Sequence, residues 1–318
     1  VKHAVGGPEG FVVVDKPAGC TSHDVVATVR RALRERRVGH GGTLDPDAEG
    51  VLVVAVGRAT RLLRFVTDLD KTYTGEVVLG TATTTLDSSG TVTATVDMSG
   101  ISLDDVAAAA ATMTGTLDQI PPMVSAIRVG GKRLYELARV GEEVERAPRK
   151  VTVSRFDVGP GPEPGVFAIE VACSSGTYVR SLAADLGSAL GGVAHLRRLV
   201  RTRVGGFTRE AAIAPETVTE GTLRRPVELI GHLDAVEVTA EVIGMVEHGR
   251  VLDDDTLGVF GSGPWAITSG GRLLGVYERH GAGRAKPMMI YSGADDRSPG
   301  SSAPSTFADS VVEMRTEA

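Results

Sequence analysis

The sequence predicts an α+β fold: a mixed, largely antiparallel sheet with flanking helices, followed by a small β-rich C-terminal domain. Three observations carry that expectation. Apolar and β-branched runs of strand length recur through the first two thirds of the chain, with few amphipathic helical stretches between them. At 318 residues, 42% of them hydrophobic, the chain exceeds the size at which one core usually stops growing, so two domains are expected. The composition also shifts: residues 1–212 hold 25 Lys and Arg against 24 Asp and Glu, whereas residues 213–318 hold 9 against 16. The acidity behind the net charge of −6 therefore belongs to the C-terminal third.

Gly10 to Asp15 reads as a buried strand ending in "KPAG". Thr21 or Ser22 then caps a helix reaching about Arg36, with Val25, Val26, Val29 and Leu33 on one face. A loop around Asp45 leads into the strand Val51 to Val56, a short helix around Ala59 to Phe65, and a strand from Lys71 to Leu79. "TATTTLDSSGTVTAT" is hairpin-like, and an alanine-rich helix from Ser102 to Met113 takes Ser102 as its cap. Val151 to Val158 and Val166 to Ala172 pair across the turn "GPGPEPG". "CSSGTYVRSLAADLGSAL" passes from strand to helix with Thr177 or Ser175 as cap, and His195 to Val204 is a basic strand. A weaker helix follows residue 213. The C-terminal unit has a helix from Ala240 to His248 and strands at Leu257 to Phe260, Trp265 to Thr268, Leu273 to Arg279 and Pro287 to Tyr291. The Ser-, Pro- and Gly-rich tail 292–318 is expected to be disordered.

The stretch from Arg37 to Leu63, "RVGHGGTLDPDAEGVLVVAVGRATRLL", presents one carboxylate, Asp45, from a stiff loop. Gly41, Gly42 and Gly50 permit sharp bends, and Pro46 biases Asp45 toward an extended backbone. Taken alone, "LDPDAEG" is an ordinary turn composition, or a catalytic carboxylate. It imitates the first half of a calcium loop, but the twelfth position, where a bidentate glutamate is required, is Val56. "GPGPEPG" has neither P-loop nor dinucleotide-fingerprint spacing. Cys20 and Cys173 stand far apart with no second thiol or His pair in metal-ligand spacing. No metal and no cofactor is expected.

"GHGGTLDPDAEG" with "GRATR" resembles the catalytic motif of the TruB family of tRNA pseudouridine synthases. The likeness recurs in order: "VVVDKPAGCTSHDVV", "DKTY" at Asp70 to Tyr73, "QIPPMVSAIRVGGKRLYELARVG" from Gln119, and "CSSGTYVRSLAADLG" from Cys173. It covers roughly the first two thirds of the chain. The resemblance implies the pseudouridine synthase fold over residues 1–232, with an RNA-clamping insertion at about 121–149. It also implies a PUA-like domain at 233–291, although no motif there supports the match.

For the site, the resemblance implies Asp45 as nucleophile, Arg180 as the cation that keeps it ionised, and Tyr73 stacked on the target base, where its hydroxyl could also remove the C5 proton after rejoining. Tyr178 lines the same pocket, Leu199 contacts the uridine, and His40 wedges into the space left by a flipped base. Lys16, directly after the first strand, touches RNA phosphate, braces the Asp45 loop or is a plain surface lysine. Departures from the family pattern are Glu49 in place of a common threonine, Val124 in place of a tyrosine and Val200 in place of an arginine; Glu49 is expected to face solvent.

The implied reaction is conversion of uridine to pseudouridine in tRNA, at uridine 55 of the T arm, with base flipping. The alternatives are a guide-RNA-dependent synthase or a noncatalytic RNA-binding protein. Three arginine-rich runs supply candidate phosphate contacts: Arg30, Arg31, Arg34, Arg36 and Arg37; Arg146, Arg149 and Lys150; Arg197, Arg198, Arg201 and Arg203. The N-terminal stretch lacks a basic-then-apolar signal pattern and no apolar run reaches membrane-span length, so a cytoplasmic protein with no membrane partner is expected, working as a monomer.

Overall fold

The structure, a computed structural model, describes residues 7–125, 128–129, 131–134 and 144–291. The centre of the expected insertion, at 135–143, and the tail 292–318 lie outside the described residues. The chain divides into two compact units, with the boundary between Asp234 and Ala235.

The first unit is built on a nine-stranded sheet. Its strands are β1 (Gly10–Lys16), β2 (Val38–His40), β3 (Glu49–Val56), β4 (Lys71–Leu79), β7 (Gly115–Gln119), β10 (Arg149–Pro160), β11 (Val166–Cys173), β12 (Ala194–Val204) and β13 (Phe207–Thr208). The strand order is β1-β3-β12-β4-β11-β10-β7, with β2 beside β3 and β13 beside β12. The β12–β3 pairing is parallel, and the other ladders among these strands are antiparallel. The remaining ladders are small: β5 (Thr81–Thr83) with β6 (Val92–Thr95), and β8 (Arg128–Val129) with β9 (Lys132–Arg133).

Helix α1 (Ser22–Leu33) lays Val25, Val26, Val29 and Leu33 on Val12, Val14, Leu52, Val54 and Val56. Thr21 and Asp24 close a capping box at its start. The helix ends before Arg36, because Arg34 turns to φ 52°, the left-handed conformation that stops a helix. Helix α2 (Leu63–Thr67) follows a 3₁₀ turn at Gly57–Leu62. Helix α3 (Leu103–Thr112), capped by Ser102, and helix α4 (Val179–Ala189) share a second core with Tyr73, Val77, Phe156, Ile169 and Val171. The start of α4 departs from expectation. Its N-cap residue is Tyr178 with no side-chain cap, because the Thr177 hydroxyl donates instead to the Ser174 carbonyl.

Between residue 213 and the start of the second unit there is no sustained helix, only 3₁₀ turns and the single turn α5 (Pro226–Leu229). In the second unit the sheet order is β14-β16-β17-β18-β15, made of β14 (Asp234–Glu237), β15 (Leu252–Asp253), β16 (Trp265–Ser269), β17 (Arg272–Arg279) and β18 (Arg284–Ile290). Helix α6 (Ala240–Glu247) places Val242 and Val246 in one core with Trp265, Ile267, Leu274 and Tyr277. The strand expected at Leu257 to Phe260 is absent: Asp254–Leu257 is a helical turn, α7, stopped by Gly258 at φ 71°.

Candidate active site

The loop between β2 and β3 is fixed at nearly every backbone position except the side chain of Asp45. Arg201, on β12 and 1% exposed, donates from Nη2 to the Gly42 carbonyl (3.0 Å), from Nη1 to that of Thr43 (3.3 Å) and from Nε to that of Val51 (2.8 Å). The Ser22 hydroxyl, in the first turn of α1, accepts from the Leu44 amide at 2.9 Å and donates to its carbonyl at 3.2 Å. Lys16, at the end of β1 and fully buried, donates to the carbonyls of Pro46 (2.9 Å), Ala48 (2.7 Å) and Pro17 (3.0 Å). The flanking side chains of Leu44 and Ala48 enter the same core as Tyr73 and Leu182. A Cβ on Gly50, at φ 103°, would stand 2.2 Å from the Arg201 carbonyl, so only glycine fits where β3 meets β12. Gly42 and Gly50 adopt positive φ; Gly41 does not.

Asp45 is met by the first turn of α4. Arg180, 3% exposed, places Nε 2.9 Å from Oδ2 and Nη2 3.1 Å from Oδ1. Its remaining donors reach the carbonyls of Thr85 (3.0 Å) and Val124 (2.9 Å), and Nη1 lies 3.5 Å from Asp87 Oδ2. Asp87 is in turn held by the Thr85 and Ser89 hydroxyls in the β5–β6 connection. The guanidinium is thus gripped on both sides, which fixes the direction of the fork toward Asp45.

Two features of Asp45 pull apart. Crowding lifts its carboxyl above the ordinary value, and the nearby Asp87 adds to the lift, while Arg180 opposes it. Yet the side chain is 42% exposed and engaged by both arms of a guanidinium. The charge of Arg180 and its two contacts favour the anion against that lift.

Asp45 opens on a cleft of about 400 Å³, walled by Tyr73, Tyr178, Leu199, Arg180, Lys71 and the Ser174 to Thr177 turn. Tyr73 projects from β4 opposite Val171 and Arg201 and is 9% exposed. Burial pushes its phenol up, so it stays protonated at neutral pH. Gln119 clamps the Tyr178 backbone, accepting from its amide at 2.7 Å and donating to its carbonyl at 3.1 Å. A second hollow of about 260 Å³ shares Asp45, Arg180 and Leu199 and is bordered by Asp87, Arg197 and Arg198.

The structure therefore brings together Asp45, Tyr73, Arg180, Tyr178 and Leu199. His40 and Lys16 are not among the residues walling that cleft. His40 packs edge-on against His23 with ring centroids 5.5 Å apart, and burial with His23 and Arg201 nearby lowers its basicity. Lys16 is fully buried, so it is not a surface lysine and has no surface for a phosphate; its bonds to the Pro46 and Ala48 carbonyls brace the loop. Glu49 does not face open solvent either: it is half-buried, 3.4 Å from Arg198 and 3.5 Å from Arg209.

The third arginine run is not one patch. Arg201 is internal, Arg197 is paired with Glu76 and Glu163, and alternation along β12 sends neighbours to opposite faces. Arg30, Arg31, Arg34, Arg36 and Arg37 are all exposed. Sequence reasoning passed over Ser22, Asp87, Gln119 and the internal role of Arg201. A hydroxyl at a helix start or an Asp in "LDSSG" reads as local turn chemistry, and only the fold carries it to the site.

Among the described residues, no His, Cys, Asp and Glu group is placed to hold a metal, and no helix is long and apolar enough to cross a membrane.

Residues 30–179 match the TruB family pseudouridylate synthase N-terminal domain. The tRNA pseudouridine synthase B of Symbiobacterium thermophilum is 49% identical over 246 residues, covering 76% of this chain and 82% of that protein. That of Bacillus anthracis is 43% identical over 300 residues, covering 89% and 97%. Among solved structures, a chain of a Cbf5-Nop10-Gar1 complex has the same fold, with a TM-score of 0.70 at 24% identity over 90% of this chain and 86% of that one. With relatives matched over most of their length and the motif-bearing residues gathered at one cleft, the chain belongs to the TruB family of pseudouridine synthases.

Proposed function

We propose that this enzyme isomerises a uridine of tRNA to pseudouridine, at uridine 55 of the T arm, with Asp45 as nucleophile. The observation that carries the reading is Asp45 gripped by both arms of Arg180 beside a cleft walled by Tyr73 and Tyr178. The tRNA assignment is supported by the relatives named above.

The reaction breaks the C1′–N1 bond, turns the base and joins C1′ to C5; the C5 proton is lost and N1 gains one. No redox partner and no phosphate energy enters. A uridine within a folded arm leaves its stack at a cost of about a few kcal/mol, and stacking on an aromatic returns about 1–3 kcal/mol. Tyr73 supplies that surface in our reading, with Leu199 against the other side of the nucleotide. His40 is the residue assigned to the vacated space in the RNA. Its lowered basicity suits an uncharged wedge. The raised Tyr73 phenol fits a stacking role better than that of a base at neutral pH.

The second unit is read as a PUA-like RNA-binding appendage, on its compact five-stranded sheet. The enzyme is read as cytoplasmic and monomeric. We favour a stand-alone enzyme over a guide-dependent one, because the relatives matched across 97% of their length are named for tRNA.

The test is incubation with an unmodified T-arm stem-loop and mapping of pseudouridine by carbodiimide adducts that stop reverse transcription. One stop at the T-loop uridine is expected. Stops scattered over several uridines, or none, would overturn the assignment.

A further inference from the structure

Lys71 and Arg201 form a second basic wall of the cleft, apart from the Arg180 pair. Both are buried, at 6% and 1% exposure. Lys71 Nζ donates to the Thr67 carbonyl at 2.6 Å, and Arg201 donates to the carbonyls of Gly42, Thr43 and Val51 and also meets the Tyr73 phenol. Two buried cations side by side, neither bonded to a carboxylate, are costly in the empty cleft. The cost is offset when something anionic arrives. Arg201 commits three of its five N–H donors to the loop, which fixes its fork there, whereas the Lys71 ammonium has three N–H bonds and uses one, on Thr67.

The chemistry of the proposed reaction produces such an anion inside the cleft. When an Asp45 oxygen bonds C1′ and C1′–N1 breaks, the electron pair departs with the ring, and negative charge spreads over N1 and the two carbonyl oxygens of uracil. The pair on the ring then forms the C5–C1′ bond as the Asp45 oxygen leaves C1′ with its own pair, the C5 proton is lost and N1 is protonated. Between those steps the detached base needs a cation within the cleft, and Lys71 lines it. We infer that Lys71 is a further catalytic residue, whose ammonium holds the detached uracil anion through one of its carbonyl oxygens while the ring turns.

The surroundings of Lys71 bear on its charge. Burial and Arg201 push it down to about 8, against opposing pulls from Cys173, Asp68 and Asp70. Cys173 is itself pushed up to about 11 by burial, and Tyr73 is also raised, so neither titrates between pH 7 and 9. Loss of the Lys71 proton is the change expected there, and it removes the charge that holds the anion.

This inference rests on the proposed reaction, and the experiment separates the two. Single-turnover conversion of the T-arm stem-loop at saturating RNA is followed from pH 6.5 to 9 for the parent, Lys71→Met, Lys71→Arg and Asp45→Asn, with RNA dissociation constants measured alongside. The parent rate should fall as pH rises through about 8. Lys71→Met should be about 100-fold slower with unchanged RNA affinity, and Lys71→Arg should keep most of the rate but lose the alkaline fall. A parent profile that is flat or rising through that range, or a folded Lys71→Met as fast as the parent, overturns the inference while leaving the reaction in place. A lysine that only braced the Thr67 turn would leave the pH profile unmoved. Should Lys71→Met fail to fold, the parent and Lys71→Arg profiles decide. No product from the parent, or equal product from Asp45→Asn, sinks the reaction itself.

Discussion

Arg180 meets Asp45 through two parallel contacts, Nε to Oδ2 at 2.9 Å and Nη2 to Oδ1 at 3.1 Å, while its other donors are tied to Thr85 and Val124. A lysine cannot reproduce that fork. Arg180→Lys is expected to lower kcat by about 100-fold or more, a loss of about 3 kcal/mol of transition-state stabilisation. It also strips the paired hydrogen bonds and loosens the charge contact that hold the Asp45 carboxyl down against burial and Asp87. The active form is the anion, so activity falls as pH drops through the carboxyl's titration. That acid limb should move to higher pH in Arg180→Lys, and an unmoved limb would show that the pair does not set the charge.

Lys16 makes a stability prediction. Lys16→Met fills a similar volume but strips the donor from the Pro46 and Ala48 carbonyls, which lie 2.9 and 2.7 Å from Nζ. Leaving buried acceptors unsatisfied costs about 1–3 kcal/mol. The melting temperature should drop by several degrees, at about 2–4 °C per kcal/mol for a unit of this size. If Lys16 instead held phosphate from solvent, RNA affinity would fall with no change in melting temperature.

Gly50→Ala and Gly176→Ala form a matched pair. Both glycines have positive φ, 103° and 81°, but a Cβ at Gly50 strikes the Arg201 carbonyl whereas one at Gly176 meets nothing within 4 Å. Backbone strain is common to both, at about 1–3 kcal/mol. Chemical denaturation should show Gly50→Ala the more destabilised of the two. Equal losses would mean that β3 and β12 separate freely.

Arg30, Arg31, Arg34, Arg36 and Arg37 are exposed on the first unit, Arg30 bonded to the Val38 carbonyl and Arg37 3.9 Å from Glu35. Replacing Arg31, Arg34 and Arg36 with alanine should weaken RNA binding and flatten its salt dependence, by about 0.9 in logarithmic slope for each phosphate that is no longer neutralised. Turnover at saturating RNA should change little. An unchanged slope would place the RNA elsewhere.

Much of the first unit was legible because its signals are local. The continuous "GVLVVAV" run, the capping residues Thr21 and Ser102, and the alternation through Lys71 to Leu79 each specify their element without help from distant parts of the chain. The motif residues Asp45, Arg180, Tyr73, Tyr178 and Leu199 converge although up to 154 positions separate them, and the family resemblance supplied that grouping. What stayed hidden depends on tertiary context. Arg201 looks like one of four surface cations until the parallel pairing with β3 takes it inside. Asp87 looks like a turn residue until the hairpin folds over Arg180. Leu257 carries the apolar character of a strand, but the acidic turn before it and Gly258 after it close a helical turn.

The central claim is that the Asp45 carboxylate reacts with a uridine delivered to its cleft. Release of tritium from C5-labelled uridine in a bare T-arm transcript tests it most directly, because the proton leaves C5 only after the new carbon–carbon bond forms. The parent protein should release one equivalent per RNA, and Asp45→Asn, which keeps the shape but not the charge, should release none. Equal release from both proteins would contradict the account.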